Sequence, residues 1–369
     1  MTSDFLIIGA GAIGCATALE LAAAGARVTL VERGVVGGES SWAGAGLLFP
    51  LVPWDYRPEV VALAQAGRRL FAGWAAGLQA ESGVDPEYLE SGLIILPPYD
   101  REAALGWAAR EGEALAEVNP RLVEPALDAG GPALWLPGVA QVRNPRLMAA
   151  LRGALLARGA RIVEQAGEVR LRITRGRLEA VEGLNGRRWQ ADTYIVSAGA
   201  WSGRLLEPLG VPVPVYPVRG QMLLFRLAPG QLTRLLIKAG RYVIPRRDGH
   251  VLVGSTLEEA GFDKTVTEAA RDDLIAWAQS LVPALRGQVP VAQWAGLRPG
   301  SPDNVPLIDC HPTVANLWVH TGHFRYGVTM APASARLLAD RLLGRKPLLD
   351  PAPYAWPGSG PYADSVSRR

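Results

Sequence analysis

Residues 4–8 (Asp-Phe-Leu-Ile-Ile) form a short apolar run, the pattern of a strand buried on both faces. An alanine-rich helical stretch follows from about Ala12 to Ala24, and Gly25 is a good C-terminal stop. Residues 27–31 then predict a second strand, ending at Glu32. Further along, residues 91–96 read as a strand. Asn144-Pro145 opens a helix, and strands are expected near 161 and over 192–196. Alternating positions at 221–226 and 250–254 predict strands with two unlike faces, and a helix is expected around 268–280. Residues 316–320 read as another strand. After a glycine turn, a helix runs from about Val328 or Pro332 to Leu343. Strands alternating with helices point to an α/β protein. The end of the chain, 351–369, is rich in Pro, Gly and Ser and is expected to be extended. No tandem repeat is visible.

The turn between the first strand and helix carries the first chemistry. It reads Gly9-Ala10-Gly11-Ala12-Ile13-Gly14. In this motif the first glycine permits the tight turn. The second lets the backbone approach a pyrophosphate, and the third lets helix and sheet pack closely. Free N–H groups at the helix start stabilise phosphates. Glu32 stands close to the roughly 20 positions downstream expected of the acid that binds ribose hydroxyls. Strand, turn, helix, strand and acid together predict a dinucleotide site. The acid favours FAD or NAD over NADP. Cys15, just inside the helix, reads as a small packing residue.

Composition narrows the class. A chain of 369 residues allows two or three domains. With 49% hydrophobic and 20% charged residues it is not intrinsically disordered. Two cysteines exclude a disulfide scaffold, and four histidines leave little for a metal centre. The net charge is +3, and of 38 basic residues only Lys238, Lys264 and Lys346 are lysines. The arginines are scattered, so no nucleic-acid surface is expected. No apolar run reaches the length of about 18 residues that a membrane span needs. Asp4 and the early glycines argue against a secretory signal, which makes a cytoplasmic location the expectation.

Later segments discriminate between the dinucleotides. They are GGESSWAGAGLL at 37–48, YIVSAGAWS at 194–202, YVIPR at 242–246, WAGLRPG at 294–300, and GHFRYG at 322–327 followed by APA at 331–333. With GAGAIG and Glu32, their order and spacing from about residue 4 to 345 resemble the D-amino-acid oxidase family of flavoproteins. Within it they are most similar to the glycine-oxidase branch, of the thiamine-biosynthesis type.

The resemblance implies a Rossmann-like FAD-binding domain with a parallel sheet, plus a smaller substrate domain built on an antiparallel sheet. The two would interleave. Residues 1–80, 141–212 and 296–345 would form the FAD domain, 81–140 and 213–295 the substrate domain, and 346–369 a tail. Non-covalent FAD is implied, with its phosphates at Gly9, Gly11, Ala12, Ile13 and Gly14. Glu32 and Arg33, then Ser40, Ser41, Ala45, Gly46 and Leu47, would contact it further, with Val169 at the adenine side. The turn His323, Phe324, Arg325, Tyr326, Gly327, Val328, Thr329 and Met330 would lie against the flavin ring. The positive end of the following helix would face the flavin N1/O2 edge and favour the anionic reduced form.

The implied reaction is oxidative deamination of glycine, sarcosine or a small D-amino acid. Hydride passes from the α-carbon to flavin N5, giving an oxo acid, ammonia and hydrogen peroxide. No side-chain base is required if the amine binds neutral. What the site needs is a carboxylate clamp. Arg298, before Pro299 and Gly300, presents a planar fork suited to it. Tyr242 would be the second donor, and the Arg325 carbonyl would accept from the amine. Catalytic and substrate-binding roles thus fall on Arg298, Tyr242 and Arg325.

Some positions depart from the branch's pattern. Trp42 replaces a small residue. Lys238-Ala239-Gly240-Arg241 lacks an expected imidazole, and residues 49–57, with Trp54 and Tyr56, offer a pocket roof. His311, His320 and His323 read as structural, with His323 near the flavin. Cys310 lies in a context unlike that of covalent flavin attachment. The partners expected are a small amino-acid substrate and either O2 or a quinone as electron acceptor. A D-amino-acid or imino-acid dehydrogenase feeding a quinone is the alternative activity, ahead of a tRNA-modifying flavoprotein. Self-association into a homo-oligomer stays open.

Overall fold

The computed structural model describes residues 3–356. Its first layer is a six-stranded sheet. In spatial order the strands are Leu307–Cys310, Leu317–Thr321, Ala191–Val196, Ser3–Ile8, Val28–Val31 and Arg161–Val163. All neighbours run parallel except Leu307–Cys310 on Leu317–Thr321. Both faces are covered, which is why the strands read as unbroken apolar runs. Ile7, Leu30 and Ile195 face the helices Ala12–Ala23, Pro58–Ser82, Asn144–Ala157 and Gly327–Leu342. Leu6, Ile8, Tyr194 and Val196 face a three-stranded antiparallel meander, Val169–Thr174, Arg177–Gly183 and Arg188–Trp189.

The second layer is an eight-stranded sheet. Its order is Ala292–Gly300, Tyr216–Arg226, His250–Gly254, Arg241–Pro245, Leu235–Lys238, Leu93–Ile95, Ala133–Leu136 and Ala116–Val118. It is antiparallel apart from one parallel pair, Leu235–Lys238 beside Leu93–Ile95. Ile94, Leu223, Phe225, Val243 and Val253 form a core with Leu274, Ala278 and Leu281 of the helix Glu268–Leu281. The opposite face, with Met222, Tyr242, Ile244 and Leu252, turns toward the first layer.

Most expected elements are present within a residue or two. Three differ. The strand Ala292–Gly300 runs straight through the expected boundary at 295/296, so Arg298 stands on the antiparallel sheet. The helix Pro58–Ser82 has 25 residues and no counterpart in the sequence reading. Its start and stop signals were present, Pro58 in the first turn and Gly83 as a left-handed cap at φ 72°. The expected extended tail begins instead with a turn, Ala352–Tyr354, and Tyr354 and Trp356 are buried. The Tyr354 hydroxyl donates to the Glu59 carbonyl at 2.8 Å, and the Trp356 amide donates to Asp309 Oδ2 at 2.9 Å. The remainder of that tail lies outside the described residues. Among the described residues no helix is long and apolar enough to cross a membrane.

The helices Pro58–Ser82 and Gly327–Leu342 pack so closely that a Cβ on Gly67 would meet the Thr329 carbonyl oxygen at 2.1 Å. Gly73, on the same helix, faces open space. The same substitution should therefore act with opposite signs. Gly67→Ala should cost about 1–3 kcal/mol through overpacking. Gly73→Ala should gain about 0.5–1 kcal/mol from helix propensity. Urea unfolding midpoints test this, and shifts of the same sign would contradict the packing.

Candidate active site

A cavity of about 580 Å3 lies between the two layers. Its floor is the inner face of the eight-stranded sheet, and strand register explains how. Met222 stands opposite both Trp294 and Gly254, and Gly254 stands opposite Tyr242. Two residues along, Gly220 pairs with Gly296, and two further, Val218 pairs with Arg298. Period-two geometry puts all of these on one face. The glycines leave room for the large side chains. A Cβ on Gly220 would stand 2.1 Å from both terminal nitrogens of Arg298.

The Arg298 guanidinium therefore lies flat on the sheet. One terminal nitrogen donates to Ser255 Oγ at 2.6 Å and the other to the Thr256 carbonyl at 3.3 Å. It lines the cavity, with the Tyr242 phenol beside it. Desolvation pulls its pKa down, with Arg325 adding to the effect and Tyr242 opposing it. Arg325 also lines the cavity and donates to the Gly240 carbonyl at 2.8 Å. Among the described residues no carboxylate pairs with either arginine. Tyr242 is 8% exposed, and its hydroxyl donates to Met222 Sδ at 3.3 Å.

The opposite wall is the strand–turn–helix start. Gly9, Gly11, Ala12 and Ile13 line it. The Ala12 amide donates to Ser41 Oγ at 2.8 Å, and Asn144 Nδ2 holds the Ser41 carbonyl at 2.8 Å. The 37–48 loop is thereby tied to the helix start. Both Glu32 oxygens accept backbone amides, from Ala10 at 2.8 Å and Gly34 at 2.9 Å, which fixes the carboxylate at the strand end. Beyond it, the Ala166 and Gly167 amides bond the Glu32 and Arg33 carbonyls and bring Val169 to the same wall. Arg33 lies 4.3 Å over the Trp201 ring.

Nearly all the residues named from the sequence converge here. Glu32, Arg33, Ser40 and Ser41 line the cavity, as do Ala45, Gly46, Leu47 and Val169, the turn from His323 to Val328, and both Tyr242 and Arg298. Gly14, Thr329 and Met330 do not. A Cβ on Gly14 would lie 2.0 Å from the Gly9 carbonyl oxygen, so that glycine serves helix packing. Thr329 and Met330 are buried, Thr329 with its hydroxyl on the Leu47 carbonyl, because the helix turns them into the interior. From the proposed roof, Phe49 and Leu51 reach the cavity, while Trp54 packs on Trp107 and the Tyr56 hydroxyl bonds that of Tyr326. Trp42 is 45% exposed and stacks edge-on against Trp294, away from the cavity wall. Asn144, Gly220 and Met222 line the cavity but carried no local signal; only strand pairing and helix docking bring them in.

The family described as FAD dependent oxidoreductase matches residues 4–341. The chain belongs to that family. It is 47% identical to a glycine oxidase of Pseudomonas aeruginosa, over 96% of this chain and 99% of the relative. It is also 34% identical to the bifunctional protein ThiO/ThiG of Synechocystis, over 94% of this chain and 52% of that longer protein. The crystal structure of glycine oxidase from Geobacillus kaustophilus superposes with a TM-score of 0.90 at 30% identity, covering 96% of this chain and 98% of that one.

The cavity fits the family's FAD. A helix N-terminus opens on one end of it and an unpaired guanidinium on the other. Three buried polar atoms of its lining residues, Asn144 Oδ1, Ser197 Oγ and His323 Nδ1, have no hydrogen-bond partner among the described residues. Neither cysteine lines it. Cys15 is fully buried with its thiol on the Ala10 carbonyl, and burial raises its pKa beyond the ordinary thiol range. Cys310 sits on the strand Leu307–Cys310, its sulfur near the His311 and Ala315 carbonyls. Acid precipitation should therefore leave all flavin in the supernatant. Flavin retained in the pellet would contradict the reading.

Proposed function

We propose that the chain oxidises glycine or a similarly small amino acid, with oxygen as the acceptor, to an oxo acid, ammonia and hydrogen peroxide. The observation that carries this is Arg298, a desolvated cation that faces the cavity and has no carboxylate of its own. A guanidinium does not escape burial by losing its proton, so the site is matched to an anionic group of the substrate. The names of the P. aeruginosa and G. kaustophilus relatives support the same substrate class.

In this reading Arg298 clamps the substrate carboxylate and Tyr242, on the same face, adds a second donor. The Arg325 carbonyl accepts from the amine and so aims the α-carbon. FAD, when bound, supplies the acceptor for the hydride at N5. The residues proposed to hold it are Gly9, Gly11, Ala12 and Ile13 at the phosphates, Glu32 and Arg33 beyond them, and the Ser40–Leu47 loop. Val169 would lie at the adenine, and the turn from His323 to Val328 beside the ring. The helix Gly327–Leu342 opens on the cavity at its N-terminus, whose partial positive charge favours a negatively charged reduced cofactor. Met222, held against the Tyr242 hydroxyl, narrows the space beside the clamp and favours a small substrate side chain.

Two measurements test this. Anaerobic glycine, sarcosine or a small D-amino acid should bleach the flavin spectrum, and air should restore it with peroxide formed. Bleaching by none of them would overturn the proposal, and reoxidation only by a quinone would make the chain a dehydrogenase. Arg298→Ala should lose the roughly 2–5 kcal/mol of a buried charge pair, lowering kcat/KM about 30- to several-thousand-fold with FAD retained. A change under about threefold would remove Arg298 from the clamp.

A further inference from the structure

Two histidines, His320 and the first residue of the turn proposed to lie beside FAD, sit fully buried beside the cavity. His320 is 0% and His323 1% exposed, and both line the wall next to Ile13. They are joined through hydroxyls. Thr17 Oγ1 lies 2.8 Å from the Ile13 carbonyl oxygen and 2.9 Å from His320 Nδ1. Ser334 Oγ lies 2.6 Å from His320 Nε2 and 2.7 Å from His323 Nε2. His323 Nδ1 has no partner.

The direction of every bond in this chain follows from one end. A carbonyl oxygen only accepts, so the Thr17 hydroxyl must spend its proton on Ile13. The Thr17 oxygen then accepts from His320 Nδ1–H. A neutral His320 has a bare Nε2, which takes the Ser334 proton. Ser334 in turn accepts from His323 Nε2–H, and a neutral His323 is left with a bare Nδ1. Burial among uncharged neighbours keeps both rings neutral: desolvation pushes the pKa of His323 down to about 3 and that of His320 well below the ordinary value.

We propose that Thr17, His320 and Ser334 are positioning residues that lock His323 as the Nε2–H tautomer, so that its Nδ1 accepts a hydrogen bond from a ribityl hydroxyl of the bound FAD. An orphaned buried acceptor is costly, and a donor from the occupant of the cavity removes that cost. The position of the ring selects the donor. His320 is joined through Thr17 to Ile13 of the turn where the phosphates belong, and His323 leads into the turn Phe324–Tyr326, which packs on the strand that carries Arg298, where the substrate belongs. The part of FAD between pyrophosphate and ring is the ribityl chain. The inference rests on FAD filling the cavity, but not on which amine is oxidised.

The test is nitrogen NMR of the 15N-histidine-labelled holoenzyme, with assignments from His320→Gln and His323→Asn. His323 should show a protonated Nε2 and an unprotonated Nδ1 that accepts a hydrogen bond. Ser334→Ala should release the tautomer into a mixture and weaken FAD binding roughly two- to tenfold, read by flavin fluorescence. His323→Asn keeps an amide oxygen near the Nδ1 position and should hold FAD more tightly than His323→Leu. A protonated Nδ1 in the holoenzyme, or equal FAD affinity of the Asn and Leu variants, would overturn the proposal. Substrate bleaching is measured separately, so failure there leaves this result standing.

Discussion

A guanidinium inside a protein, bonded to one hydroxyl and one carbonyl, is electrostatically incomplete. Arg298 is in that state, and the surrounding architecture maintains it. Gly220 yields the space in which the planar group lies, and strand pairing aims it at the cavity. None of the acids on the cavity wall, Glu32, Glu39 and Glu168, forms an ion pair with it. Glu32 is occupied by two backbone amides, and Glu39 is paired with Arg33 and Lys264. Because burial is costly for an unpaired ion, the positive charge is held in reserve for an anion that enters. In proposed terms, this is how the site selects amino acids over simple amines.

The helix Gly327–Leu342 joins this floor to the nucleotide wall. Its N-terminus opens on the cavity, and its body packs against the helices Ala12–Ala23 and Pro58–Ser82. Pro332, inside it, has no amide hydrogen, so the Val328 carbonyl at the cavity wall lacks its intrahelical donor. Ser334, two residues on, ties His320 and His323 together. One helix thus sets the cofactor-facing turn, the histidine chain and part of the main core. Close contact at Gly67 leaves it little freedom to shift.

The nucleotide half was legible because its signals are local. A strand, a glycine turn, an alanine-rich helix and a terminal acid lie within residues 3–32, and each reports its own backbone geometry. The family resemblance extended this to Arg298 and Tyr242, both of which line the cavity. It also included Thr329 and Met330, which the rotation of a helix turns inward. The helix Pro58–Ser82 has legible ends in Pro58 and Gly83, but its residues take no part in the glycine-turn and strand motifs that mark the nucleotide half.

What the sequence determined by itself is the class of chemistry: a dinucleotide turn, a scarcity of metal ligands, and an arginine on a Pro-Gly strand. Those follow from residue identity and short-range backbone preference. Only the tertiary structure decided which residues share the cavity. Asn144, Gly220 and Met222 enter through strand register and helix docking. Trp42 leaves for a contact with Trp294. The direction of the histidine chain needs Thr17, Ser334, His320 and His323 within bonding distance, and these come from opposite ends of the chain. Long-range packing is a property of the whole core, and no window of sequence contains it.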